Sequence, residues 1–113
     1  MAGRRTYWGR VTGLRFPFTW ISAPVDRLIL DQSSITLRPL IGRRLTFERH
    51  QIERVEVVDD LLNRHLRFRK ADGTLAKRVF RPTRPKRVRD GLVRNSWAFE
   101  IVIPPLFGLR QEG

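Results

Sequence analysis

The feature that most constrains this chain is the alternation between Leu28 and Val57. In Ile35-Thr36-Leu37, Leu45-Thr46-Phe47 and Val55-Glu56-Val57 the apolar residues stand two apart with a polar residue between them. Successive side chains of a strand point to opposite faces, so this spacing predicts strands with one buried and one wet face. Leu28-Ile29-Leu30 is a short apolar run ahead of them. Asp31-Gln32-Ser33-Ser34 and Pro39-Leu40-Ile41-Gly42 supply the turns between, through side chains that bond their own backbone and through chain-breaking residues.

Further along, Ile52 and Val55 are three apart before alternation resumes at Val57, which predicts a bulge or short corner. Glu53, Glu56, Asp59 and Asp60 read as a solvated strand face and a hydrated turn. Leu66 and Phe68 form the inner face of another strand, with Arg67 and Arg69 pointing outward. Asp72-Gly73 marks a hairpin turn, since glycine readily supplies positive φ. The partner strand is Leu75 to Arg81, whose inward phase stays open because Val79 and Phe80 are adjacent. Pro82 ends the sheet, Thr83 suits a helix N-cap and Pro85 a first turn. Val88 and Leu92 then share one helical face, and the helix should end near Asn95 to Trp97. Phe99 to Ile103 reads as a last strand or a strap before Pro104-Pro105.

The first residues are read differently. Met1 to Gly13 is polar, with Arg4, Arg5 and Arg10 around Tyr7 and Trp8, and reads as a mobile basic arm. Phe16, Phe18 and Trp20 form a period-two aromatic stripe that Pro17 confines to an edge. We expect a flap there, with a membrane-inserting or partner contact as its functional rival. The division is therefore a basic and aromatic arm over 1–23, a central domain over 24–97, and an apolar tail or strap over 98–113.

Composition narrows the function. The chain has 113 residues, enough for one domain with a modest core, and no cysteine. There is no Gly-rich phosphate loop, HExxH, GxSxG or cysteine nucleophile, so no catalytic residue, metal site or cofactor is expected. The N-terminus lacks the apolar run of a secretory signal, and Ile101 to Leu109 is too short to span a bilayer. We expect a cytoplasmic protein, with peripheral contact to the inner face of the membrane as an option. The net charge is +12, from 23 basic and 11 acidic residues, and only Lys70, Lys77 and Lys86 among the basic ones are lysine. Such a field attracts phosphate polymers and anionic lipid surfaces. A strong arginine bias is also what a GC-rich genome produces.

The phrases Pro24-Val25-Asp26-Arg27-Leu28, Ile35-Thr36-Leu37-Arg38 and Glu53-Arg54-Val55, with the Val88, Leu92, Trp97 helix, together resemble the bacterial pleckstrin-homology-like (PH-like) family. The resemblance covers about residues 24–97. It implies a mainly β fold with one C-terminal α-helix: a bent antiparallel sheet, or partly open barrel, of about seven strands capped by that helix. It also implies a lipid-binding, peptide-binding or scaffolding role, without choosing among them. Inositide-binding members concentrate basic residues in the loop between their first two strands. The corresponding loop here, Asp31 to Ser34, has none.

Two arginine groups are candidate anion sites. Arg78, Arg81, Arg84, Lys86 and Arg87 surround the start of the helix, where cations oppose the helix dipole and an anion would relieve the conflict. Arg64, Arg67 and Arg69 with Arg43 and Arg44 could form a basic stripe on the sheet. The leading expectation is a non-enzymatic module engaging membrane lipid headgroups. One alternative is a protein scaffold or homo-oligomer using the Ile101 to Leu109 tail. The other is a nucleic-acid-binding β domain, with Tyr7, Trp8 or Trp97 stacking on bases.

Overall fold

The computed structural model describes residues 4–13, 26–59 and 64–103. Alternation becomes eight strands: β1 (Arg5–Gly13), β2 (Asp26–Leu30), β3 (Ser34–Arg38), β4 (Leu45–Glu48), β5 (Ile52–Val58), β6 (His65–Lys70), β7 (Leu75–Pro82) and β8 (Phe99–Val102). One helix, α1 (Pro85–Arg94), precedes β8. The strands form a single open sheet in the order β4-β3-β2-β1-β7-β6-β5-β8. Neighbours are antiparallel except β8, which runs parallel to β5 from Val55 opposite Phe99 to Val58 opposite Val102. One inner face carries Leu28, Leu30, Ile35, Leu37, Phe47, Val55, Leu66, Phe68 and Phe80 into a common core. Phe47 and Phe68 stack there with centroids 5.6 Å apart. Val88 and Leu92 of α1, with Trp97, close over that core.

The N-terminal reading needs correction. Residues 5–13 do not form a mobile arm detached from a 24–97 domain; they are the central strand. β1 pairs with β2 from Arg5 to Gly9 and with β7 from Gly9 to Gly13. Gly9 marks the crossover. A Cβ at Gly9 would run into the Arg81 carbonyl oxygen and lie 2.7 Å from Phe80 Cζ. Close backbone approach thus requires glycine here. Phe16, Phe18 and Trp20 lie outside the described residues, as do Asp60 to Asn63 and the tail beyond Ile103.

Two irregularities set the bends. The corner expected between Phe47 and Val55 is a single 3-10 turn, Arg49–Gln51, followed by a register shift between Ile52 and Arg54. The register of β7 against β6 shifts between Arg67 and Arg69, while Val79 and Phe80 keep regular pairing and are buried on opposite faces: Phe80 meets Leu66 in the core, and Val79 lies opposite Arg67.

The helix begins one residue later than expected. Thr83, just past the end of β7, is still tied to β1, donating its N–H to the Trp8 carbonyl (3.0 Å). Arg84 therefore takes the N-cap position with no side-chain cap, and Pro85 follows as the first helical residue. At the other end, Ser96 adopts φ 58° while Ser96 N–H reaches Val93 O and Trp97 N–H reaches Leu92 O. That pair of bonds is a Schellman motif with serine where glycine is usual.

Candidate anion-binding surface

The arginines of this chain fall into two populations, and the sheet decides which. On β5, Glu56 points to the face opposite the core, between its register partners Arg67 on β6 and Glu100 on β8. It is nonetheless only 1% exposed. Arg67 Nε donates to Oε1 at 2.5 Å and Arg69 Nε to Oε2 at 2.9 Å. Arg54 NH2 is 3.2 Å from the same carboxylate, and Arg54 also pairs with Glu53 and Glu100. Burial pushes the Glu56 pKa up, but the hydrogen bonds and charges of Arg69 and Arg67 outweigh it and hold the carboxyl below its ordinary value. Three cations facing three carboxylates leave this face without net charge.

Two further arginines are structural. Arg49 Nε donates to Gln32 O at 2.5 Å, and its terminal nitrogens donate to Ser96 O (3.0 Å) and Asn95 O (2.6 Å). Its guanidinium lies 4.2 Å from the Trp97 ring centroid, while Trp97 Nε1 donates to Asp31 O at 2.7 Å. It thus fastens the end of α1 to the β2–β3 turn by satisfying terminal carbonyls. Arg10 lies 3.7 Å from Asp26, which is buried and accepts from the N–H groups of Val11 (2.7 Å) and Leu40 (2.8 Å).

The second population surrounds Trp8. This side chain stands on the outer face of β1, 52% exposed. Along the register it is followed by Arg27 on β2 and Arg38 on β3. One pleat away, Arg10 is opposite Arg81. The Arg27 guanidinium lies 5.3 Å from the Trp8 ring centroid. Because Thr83 hydrogen-bonds to Trp8, the start of α1 is adjacent, and Arg84 and Arg87 line a cavity of about 390 Å³ with Thr6, Tyr7 and Trp8. Arg27, Arg38, Arg81, Arg84 and Arg87 have no carboxylate partner among the described residues.

The structure therefore brings together only part of the predicted set. Arg81, Arg84 and Arg87 converge on the Trp8 face. Lys86 lies on the other side of α1, beside Arg89, lining a separate pocket with Val57, Leu66 and Ile101. Arg78 is exposed at the far end of the β1–β7 pairing, opposite Gly13. Arg43 and Arg44 are exposed ahead of β4, and four strands separate β4 from β6 in the sheet. The continuous stripe expected from Arg43, Arg44, Arg64, Arg67 and Arg69 does not form, and the last two are engaged by Glu56. Arg27 and Arg38 are the residues that sequence reasoning missed as part of a site, and it singled out Trp8 as a base-stacking aromatic. Their signal becomes legible only once residues 5–13 are placed beside β2.

No protein-family model matches this sequence, and no curated protein matches it. Among solved structures, the whole chain aligns with a chain in the structure of the Spt16D Pob3N heterodimer, with a TM-score of 0.67 and 8% identity. This chain spans 62% of the length of that one. The likeness is one of fold: a mainly β, PH-like architecture.

Proposed function

We propose that this chain is a non-enzymatic binding module whose Trp8 face engages a surface of anionic lipid headgroups. The observation that carries the reading is the partition of arginines. Those on β5 and β6 are neutralised by carboxylates, whereas Arg27, Arg38, Arg81, Arg84 and Arg87 surround an exposed tryptophan without one. Tryptophan is at home where an apolar medium meets headgroups, and arginines beside it meet phosphates. A nucleic acid is less well served, because Arg27 already lies over the Trp8 ring and a stacked base would have to displace it. The start of α1, with Arg84 and Arg87 beside Trp8 and no acidic residue in its first turn, adds positive charge to the same attraction.

The test is flotation of the protein with phosphatidylcholine vesicles, with and without phosphatidylserine, at low and physiological salt. Each arginine near such a surface contributes about 1 kcal/mol, so Arg27→Ala/Arg38→Ala/Arg84→Ala should lower partitioning roughly a hundredfold. Arg43→Ala/Arg44→Ala, at the far edge of the sheet, should change it far less. Equal losses in the two variants would reduce the effect to diffuse charge. Absence of binding at physiological salt would refute the membrane reading. It would favour a protein contact instead, at the open edge of β8, where Ile101 and Ile103 are exposed.

A further inference from the structure

The groove between β1 and α1 offers something that a charged face does not. β1 is flanked by β7 only from Gly9 onward; over Arg5 to Trp8 its partner is β2 alone. On the open side, the Trp8 carbonyl accepts from Thr83 as the chain leaves the sheet for α1. Backbone groups of residues i and i+2 point to the same edge of a strand, so the N–H and C=O of Thr6 face that side too. No hydrogen bond to either is made from that side among the described residues. The edge is bordered by two adjoining cavities of about 390 and 380 Å³, which share Thr6, Tyr7 and Arg87. Gly91 brings α1 down onto the Tyr7 hydroxyl and forms part of the second cavity. Arg84, Arg87 and Arg94 of α1 and Arg5 of β1 line the groove, against the single carboxylate of Asp90.

We infer that this groove docks an extended acidic segment of a partner protein, which adds a strand to the N-terminal half of β1. The backbone selects the class of ligand. Thr6 presents a donor and an acceptor on one edge, and an extended peptide complements both. A lipid headgroup such as phosphatidylserine cannot reach along a strand edge, and a phosphodiester backbone supplies acceptors but no donor for the carbonyl. The arginines then select acidic side chains, and Asp90 discourages basic ones. This inference shares Arg84 and Arg87 with the membrane reading but is separable from it, because Thr6, Arg5 and Arg94 lie outside the Trp8–Arg27–Arg38 row.

The experiment is fluorescence anisotropy with a labelled ten-residue peptide alternating glutamate and valine, and two versions of it. One is N-methylated at every valine, the other at every glutamate. A docked strand turns only one set of N–H groups toward the protein. One methylated peptide should therefore lose at least about tenfold in affinity while the other binds like the parent. Arg87→Glu/Arg94→Glu should lose binding, Arg27→Ala/Arg38→Ala should retain it, and the Thr6 amide should gain protection from hydrogen exchange in the complex. Equal binding of the three peptides would show charge attraction without strand addition and overturn the inference. So would absence of binding by the parent peptide at physiological salt, or loss of binding in Arg27→Ala/Arg38→Ala equal to that in Arg87→Glu/Arg94→Glu.

Discussion

Replacing Glu56 by glutamine tests whether the arginine cluster on β5 and β6 is held together by one buried carboxylate. The change keeps side-chain volume and removes the charge that Arg54, Arg67 and Arg69 all face. Breaking a fully buried ion pair costs about 3–5 kcal/mol, because the remaining charge is left unpaired. Here the three guanidinium side chains are 33%, 28% and 25% exposed, so water re-solvates them in part. A loss of about 2–3 kcal/mol is the working figure. With an m-value of about 1.5 kcal/mol/M, the urea midpoint should fall by roughly 1.5–2 M at unchanged slope. Glu53, 49% exposed and bonded only to Arg54, is the control: Glu53→Gln should cost under about 0.5 kcal/mol. The acid limb supplies a second readout. The carboxyl of Glu56 sits below its ordinary value of 4.5 in the folded protein. Its contribution is therefore complete above that value and is lost as pH falls through the lower folded pKa. Glu56→Gln should flatten the loss of stability in that acid window while lowering stability at neutral pH. If Glu56→Gln and Glu53→Gln shift the midpoint equally, the cluster is an ordinary surface network and the reasoning fails.

Three other substitutions probe the parts that position the site. Ser96→Gly removes a side chain from a residue at φ 58° and should raise stability by about 0.5–1 kcal/mol, read as a higher melting temperature; a decrease would mean the serine hydroxyl matters more than its backbone strain. Asp26→Ala orphans the N–H groups of Val11 and Leu40 and should cost about 2–4 kcal/mol in urea unfolding. Arg49→Lys keeps the charge but not the fork that reaches Gln32, Asn95 and Ser96, and should cost about 1–2 kcal/mol; a neutral result would show that charge alone secures the end of α1.

What could be read in advance follows from which forces are local. Alternation in β3, β4 and β6 is a property of a few consecutive residues, and so is the four-residue spacing of Val88 and Leu92. The Asp72-Gly73 turn is equally local: Gly73 has φ 89°, and Thr74 N–H donates to Asp72 Oδ1 at 2.9 Å. β1 escaped notice because its inward row is Tyr7, Gly9 and Val11. The glycine that lets β7 approach is also the gap in the hydrophobic pattern. Glu56 escaped for a different reason. A glutamate between two valines reads as the wet face of a strand, and only cross-strand neighbours convert that face into a buried one. The clue was present in outward-phase arginines at 54, 67 and 69, but using it requires the β5–β6 register. Arg49 and Asp26 act on backbone groups far away in sequence, and neither leaves a local signature.

The same register explains why net charge alone was a poor guide to the site. With 23 basic residues against 11 acidic ones, the natural expectation is a surface that is basic everywhere. Pairing β5 with β6 and β8 instead gathers Glu53, Glu56 and Glu100 around Arg54, Arg67 and Arg69, so that these six charges cancel one another. Arg27, Arg38, Arg81, Arg84 and Arg87 stand together on the β1–β2–β3 and α1 side without such partners. An uneven distribution of this kind orients a molecule as it approaches an anionic partner, over distances of about a Debye length. Removing Glu56 would then do more than destabilise the fold. It would free three cations on the wrong half and blunt that orientation. Binding measured under conditions where Glu56→Gln remains folded should keep or gain strength at low salt, yet lose its dependence on Arg27, Arg38 and Arg84.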